Sequence, residues 1–147
     1  MGRSYTVADI MTEHVVTVSE EDSLEQVTQN LDRFRFRHLP VVDGRKVVGV
    51  ITERDLLRFA VSVTEVGPAA SAKAVDLERN TFVAQVMTRN PITVPPQTPV
   101  TRAAALMVDG RFDCLPVVNA TGELLGIVTA HDLLNLMSAS EVSEREN

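Results

Sequence analysis

Apolar residues follow two rhythms along this chain. Residues 15–18, 39–42 and 47–51 are short apolar runs bounded by polar residues, the pattern of buried strands. Leu24, Val27, Leu31 and Phe34 instead recur at helical spacing and form one apolar face. Asp22, with Glu25 three residues on, reads as the N-cap of that helix. Asp43-Gly44 joins the second and third apolar runs as a hairpin turn. Thr52 caps a second helix through Leu56, Leu57 and about Phe59, and Thr6 with Asp9 caps a short helical turn over residues 7–11. The predicted order is a helical turn followed by β-α-β-β-α.

The same pattern returns at an offset of 76 residues. Val7-Ala8-Asp9-Ile10-Met11-Thr12 becomes Val83-Ala84-Gln85-Val86-Met87-Thr88, and Thr17-Val18 becomes Thr93-Val94. Arg37-His38-Leu39-Pro40-Val41-Val42 becomes Asp113-Cys114-Leu115-Pro116-Val117-Val118. After one extra residue, Gly49-Val50-Ile51-Thr52-Glu53-Arg54-Asp55 becomes Gly126-Ile127-Val128-Thr129-Ala130-His131-Asp132. Matches in this order mark a tandem duplication. In the second copy Thr98 stands for Asp22 and precedes Pro99, a proline-first helix start.

The expected class is α/β (α+β), with two tandem β-α-β-β-α repeats at 6–61 and 81–137. Neither half alone buries much surface, so the repeats are expected to pack with pseudo-twofold symmetry into one module. Residues 62–80, with Gly67-Pro68 and Ala70-Ser71-Ala72, read as a linker holding a short helix near 73–77. Residues 138–147 read as a polar, weakly ordered tail.

Composition narrows the function classes. Of 147 residues 44% are hydrophobic, which suits a packed core. No apolar run nears the roughly 20 residues a membrane span needs, so no membrane association is expected. Fourteen Lys plus Arg against 20 Asp plus Glu leave a net charge of −6, which argues against a nucleic-acid partner. Cys114 is the only cysteine, so no internal disulfide forms and a cytoplasmic setting is expected. His14, His38 and His131 have no metal-ligand spacing, and neither a Ser-His-Asp order nor a phosphate-cradling loop is present. Neither a metal site nor an enzyme is expected.

The sharpest chemistry lies in the two Gly-apolar-apolar-Thr-x-x-Asp stretches. Each delivers Thr52 or Thr129 to the end of a strand, where the next helix begins with outward N–H groups that suit an anion. Asp55 or Asp132 follows one turn later, where a carboxylate can accept ribose hydroxyls. The glycine of each stretch permits close backbone approach. The same spacing is also an ordinary capping box that needs no ligand, and duplication copies caps as faithfully as sites.

The repeated unit, the two Leu-Pro-Val-Val stretches, and GVITERD with GIVTAHD together resemble a tandem pair of CBS domains, from about Thr6 to Met137. The resemblance implies clefts that bind AMP, ADP, ATP or S-adenosylmethionine as regulatory ligands, with no obligatory cofactor. It assigns the ribose to Asp55 and Asp132, with Thr52 and Thr129 beside them. It puts the adenine near Thr17 and Val18, and near Ile92 and Thr93. It places phosphate contacts at Arg37, His38 and Arg54 in the first repeat. The second repeat has Asp113, Cys114 and His131 there, so the two clefts are expected to be unequal.

The leading expectation is a regulatory sensor that signals by conformational change to a separate effector protein. The resemblance also implies a homodimer built through helical faces. Leu56, Leu57, Leu133 and Leu134 suit such a surface, and suit an internal core equally. The alternative is a structural protein-interaction module with degenerate clefts and no nucleotide.

Overall fold

Local sequence rules set most of the elements in the computed structural model, which describes residues 4–34, 37–62 and 76–146. In chain order these are α1 (Val7–Ile10), α2 (Leu24–Phe34), β1 (His38–Asp43), β2 (Lys46–Thr52), α3 (Glu53–Ser62), α4 (Val83–Val86), β3 (Thr88–Arg89), α5 (Val100–Gly110), β4 (Cys114–Val118), β5 (Leu124–Thr129) and α6 (Ala130–Glu146). Residues 76–80 are also helical, so part of the expected 73–77 helix is seen and the rest lies outside the described residues. Gly44 takes φ 63° in the hairpin turn and Gly122 takes φ 85° in its counterpart, a conformation that costs glycine little.

Several boundaries differ from expectation. The α2 cap is Ser23, not Asp22: the Ser23 N–H donates to Gln26 Oε1 at 2.9 Å, and Gln26 N–H reaches Ser23 Oγ at 3.3 Å. Asp22 instead accepts the Ser19 N–H at 2.8 Å and closes the preceding turn. Pro99 is the N-cap of α5 rather than its first residue. Residues 15–18 form no strand; Val18 makes a single parallel bridge to Val41, and Val94 does the same with Val117. The tail expected to be weakly ordered continues α6 to Glu146. Residues 138–146 contain no Gly or Pro and hold three Glu among three Ser, so no helix breaker stops the helix.

The chain forms two compact units: a first, Val16–Pro91, and a second, Met1–Val15 with Ile92–Asn147. The first holds a sheet in the order β1-β2-β3, with β2 antiparallel to both neighbours. The second holds the β4-β5 hairpin, and Thr12 bridges to Ile127 on β5. The units do not follow the sequence repeats. The leading helix of each repeat, with the residues just after it, belongs to the unit built mainly from the other repeat. Val83 and Met87 complete a core of Val18, Leu24, Val27, Leu39, Val41 and Ile51. Val7, with Met11 against it, completes a core of Val94, Ala103, Met107, Leu115, Val117 and Val128.

Backbone hydrogen bonds show how these four-residue helices are held. Val7 N–H donates to Thr98 C=O at 2.8 Å and Ala8 N–H to Pro96 C=O at 3.0 Å. The matching bonds in the first unit run from Val83 N–H to Asp22 C=O at 2.8 Å and from Ala84 N–H to Glu20 C=O at 3.1 Å. The unpaired N–H groups of a helix start are thus satisfied by the loop before the next long helix. The two repeat glycines make room for the segments that follow. A Cβ at Gly49 would lie 2.8 Å from Thr88 O, and one at Gly126 would lie 2.7 Å from Thr12 O. The close backbone approach expected at these glycines is that of the chain's own following segments.

Candidate functional site

Each Thr-x-x-Asp stretch folds into the same closed turn. In the first unit the Thr52 N–H donates to Asp55 Oδ2 at 3.0 Å, Thr52 Oγ1 lies 3.2 Å from the same oxygen, and Asp55 N–H donates back to Thr52 Oγ1 at 3.2 Å. In the second unit the corresponding distances for Thr129 and Asp132 are 2.8, 3.0 and 3.2 Å. Both are reciprocal capping boxes. The first helical N–H is also taken: Glu53 N–H donates to Arg37 C=O at 3.2 Å, and Ala130 N–H to Asp113 C=O at 2.9 Å. That leaves the N–H of Arg54 and of His131 without a hydrogen bond among the described residues. Fewer helix-start donors therefore face outward than the sequence suggested.

Strand pairing brings other candidate residues to the same ends. His38 sits opposite Thr52 across β1 and β2, and Cys114 sits opposite Thr129 across β4 and β5. Arg37 and Arg54 are exposed, His38 is half-buried, and His131 is exposed at the start of α6. Val18 is buried, with its N–H bonded to Pro40 C=O at 3.0 Å and its C=O accepting from Val42 N–H at 2.9 Å. Thr17, Ile92 and Thr93 are exposed beside these bridges. Cys114 is buried within β4.

A family model for the CBS domain matches residues 7–62 and 83–139. The chain belongs to the CBS domain family. It is 33% identical to a CBS domain-containing protein of Dictyostelium discoideum over 132 residues, 89% of this chain and 90% of that one. It is 37% identical over 119 residues to an inosine-5′-monophosphate dehydrogenase of Korarchaeum cryptofilum, covering 81% of this chain but 21% of the relative. Homoserine O-acetyltransferase relatives are likewise matched over only 24% of their length. Among solved structures it resembles CBSX2, a CBS-pair protein of Arabidopsis thaliana, at TM-score 0.78 and 28% identity over 99% of both chains. CBSX2 has been crystallised in complex with AMP. A CBS domain pair in complex with 5′-methylthioadenosine and S-adenosyl-L-methionine is similar at TM-score 0.77 and 27% identity, covering 94% of this chain and 99% of that one.

Within this CBS pair each unit gathers one set of candidate residues. Thr17, Val18, Arg37, His38, Thr52, Arg54 and Asp55 fall in the first unit, and Ile92, Thr93, Thr129, His131 and Asp132 in the second. Sequence reasoning missed Thr88. It lies in β3 with Oγ1 3.4 Å from Asp55 Oδ1, so the buried Asp55 carboxylate has a partner contributed by the second repeat. The signal was the repeated Met-Thr pair, which carries meaning only once strand exchange is known. The leucine pairs on the second helices also divide: Leu56 and Leu133 pack against the two cores, whereas Leu57 and Leu134 are 66% and 62% exposed.

Proposed function

We propose that this CBS pair is a regulatory module that binds an adenosyl ligand, AMP, ADP, ATP or S-adenosylmethionine, and reports it to a separate effector protein. The observation that carries the reading is the duplicated carboxylate. Asp55 and Asp132 are each held through Oδ2 by a threonine at a helix start, which orients Oδ1 as an acceptor for ribose hydroxyls. Thr52 and Thr129 position these carboxylates. Arg54, Arg37 and His38 supply positive or donor groups near the first carboxylate for a phosphate, helped by the Arg54 N–H. The second carboxylate has His131 at the matching place. Thr17 and Val18, and Ile92 and Thr93, provide the edge for the adenine. Likeness to CBS pairs crystallised with AMP and with 5′-methylthioadenosine and S-adenosyl-L-methionine supports the ligand class.

The module works as a cytoplasmic homodimer and catalyses nothing. Exposed Leu57 and Val61 on α3, and Leu134 and Met137 on α6, supply its apolar contact. A ligand that favours one arrangement of the dimer shifts the equilibrium by its difference in affinity for the two states.

Calorimetric titration of AMP, ATP and S-adenosylmethionine into nucleotide-free protein tests this, beside Asp55→Ala and Asp132→Ala. Each substitution is expected to abolish binding at its own site and spare the other. One observation favours a second reading, a protein-interaction module without nucleotide: both Thr-x-x-Asp turns close completely as caps using only protein groups. Silence from all three ligands would establish that reading instead.

A further inference from the structure

The two carboxylates proposed to hold ribose are not equally available. Oδ2 of each accepts an N–H and a hydroxyl from its threonine, which fills both of its lone-pair directions. A ribose diol must therefore bond to Oδ1. Asp132 is half-buried, and its Oδ1 has no hydrogen-bond partner among the described residues. Asp55 is only 7% exposed, and its Oδ1 already has Thr88 Oγ1 at 3.4 Å. Thr12 occupies the repeat position that matches Thr88, and its hydroxyl makes no hydrogen bond among the described residues.

We propose that Thr88 makes the two sites unequal, opposing ribose at Asp55 so that the Asp132 site fills first. This inference rests on the proposed ribose-binding reading. Of the two hydroxyls of a ribose diol arriving at Asp55, one takes the open lone pair of Oδ1 and the other must displace Thr88, whereas at Asp132 both find open directions. An exchange gains less than an addition, and the expected difference is about five- to tenfold in affinity. Thr88 stays close to Asp55 because β3 is paired to β2 through Val50↔Thr88 and Gly49↔Arg89. Its backbone is thereby held beside the carboxylate. Thr88 acts here as a positioning residue: it contacts no ligand and acts through Asp55.

The test is calorimetric titration of AMP into the nucleotide-free full chain carrying Asp132→Ala, which isolates the Asp55 site. Thr88→Val is then added to remove the hydroxyl at nearly constant shape, and Thr88→Ser to retain it. Thr88→Val is expected to tighten AMP about five- to tenfold, and Thr88→Ser to leave the affinity unchanged. With 2′-deoxy-AMP the gain should shrink, a readout that a merely structural role would not produce. Unchanged or weaker AMP binding in the Thr88→Val protein overturns the proposal. If that double variant does not fold, Asp55→Ala decides, because it must retain the tighter of the two wild-type sites; losing that site also overturns the proposal. No binding by the wild-type protein to any adenosyl ligand removes the ribose reading itself, whereas binding indifferent to Thr88 removes only this inference.

Discussion

Replacing Gly126 by alanine would put a methyl group 2.7 Å from the Thr12 carbonyl oxygen and 2.9 Å from Met11 Sδ. The methionine can rotate away, but the carbonyl belongs to a bridge. Thr12 N–H donates to Ile127 C=O at 2.9 Å, and Ile127 N–H donates to Thr12 C=O at 3.0 Å. Moving the segment to relieve the clash breaks or stretches two hydrogen bonds, each worth about 1 kcal/mol net. Leaving it in place stores overpacking strain of about 1–3 kcal/mol. By either route Gly126→Ala is expected to cost about 1–3 kcal/mol, or roughly 2–12 °C in melting temperature for a chain of this size. Scanning calorimetry supported by urea titration measures it. Adding Met11→Ala should not restore stability, because the carbonyl clash remains. Gly49→Ala should behave alike, since its Cβ would meet Thr88 O at 2.8 Å. A melting temperature within about 1 °C of wild type would refute close backbone approach as the reason for glycine at these positions.

Burial and backbone geometry give further outcomes. Leu39 and Leu115 are matching residues at 0% and 1% exposure, so Leu39→Ala and Leu115→Ala should each cost about 2–5 kcal/mol in urea unfolding. Leu57→Ala, on an exposed position, should stay within about 0.5 kcal/mol of wild type in the monomer. His14 and Asn90, also matching positions, adopt φ 55° and 49°. His14→Gly should raise the melting temperature by about 1–3 °C by relieving a left-handed residue, and Asn90→Gly should gain less because asparagine tolerates that conformation. A fall for His14→Gly would mean that its side chain contributes more than its backbone costs.

What the amino-acid order determined by itself was local. The duplication, the helical face of Leu24, Val27 and Leu31, the hairpin at Gly44 and both Thr-x-x-Asp turns depend on contacts a few residues apart. Where two local answers were equally good, the sequence could not choose. Asp22 with Glu25 and Ser23 with Gln26 are both proper capping pairs, and the folded chain uses the second, with Leu24 N–H bonded to Thr81 C=O and Asp22 C=O accepting from Val83 N–H. Residues 15–18 carry strand-like side chains, yet a strand also needs a partner for every residue, and only Val18 finds one.

The tertiary structure alone decided which repeat supplies which edge. Val7 to Thr12 and Val83 to Thr88 carry nearly the same apolar pattern, and Gly49 and Gly126 offer the same gap. Either segment therefore satisfies either glycine by local criteria, and the exchange is settled by contacts between residues far apart in the chain. Thr88 reaches Asp55 only as a consequence of that exchange. Thr12 is paired to Ile127 as Thr88 is to Val50, so the contact that Thr88 makes to Asp55 and Thr12 does not make to Asp132 is a feature of side-chain placement that the shared Thr-x-x-Asp spacing does not carry.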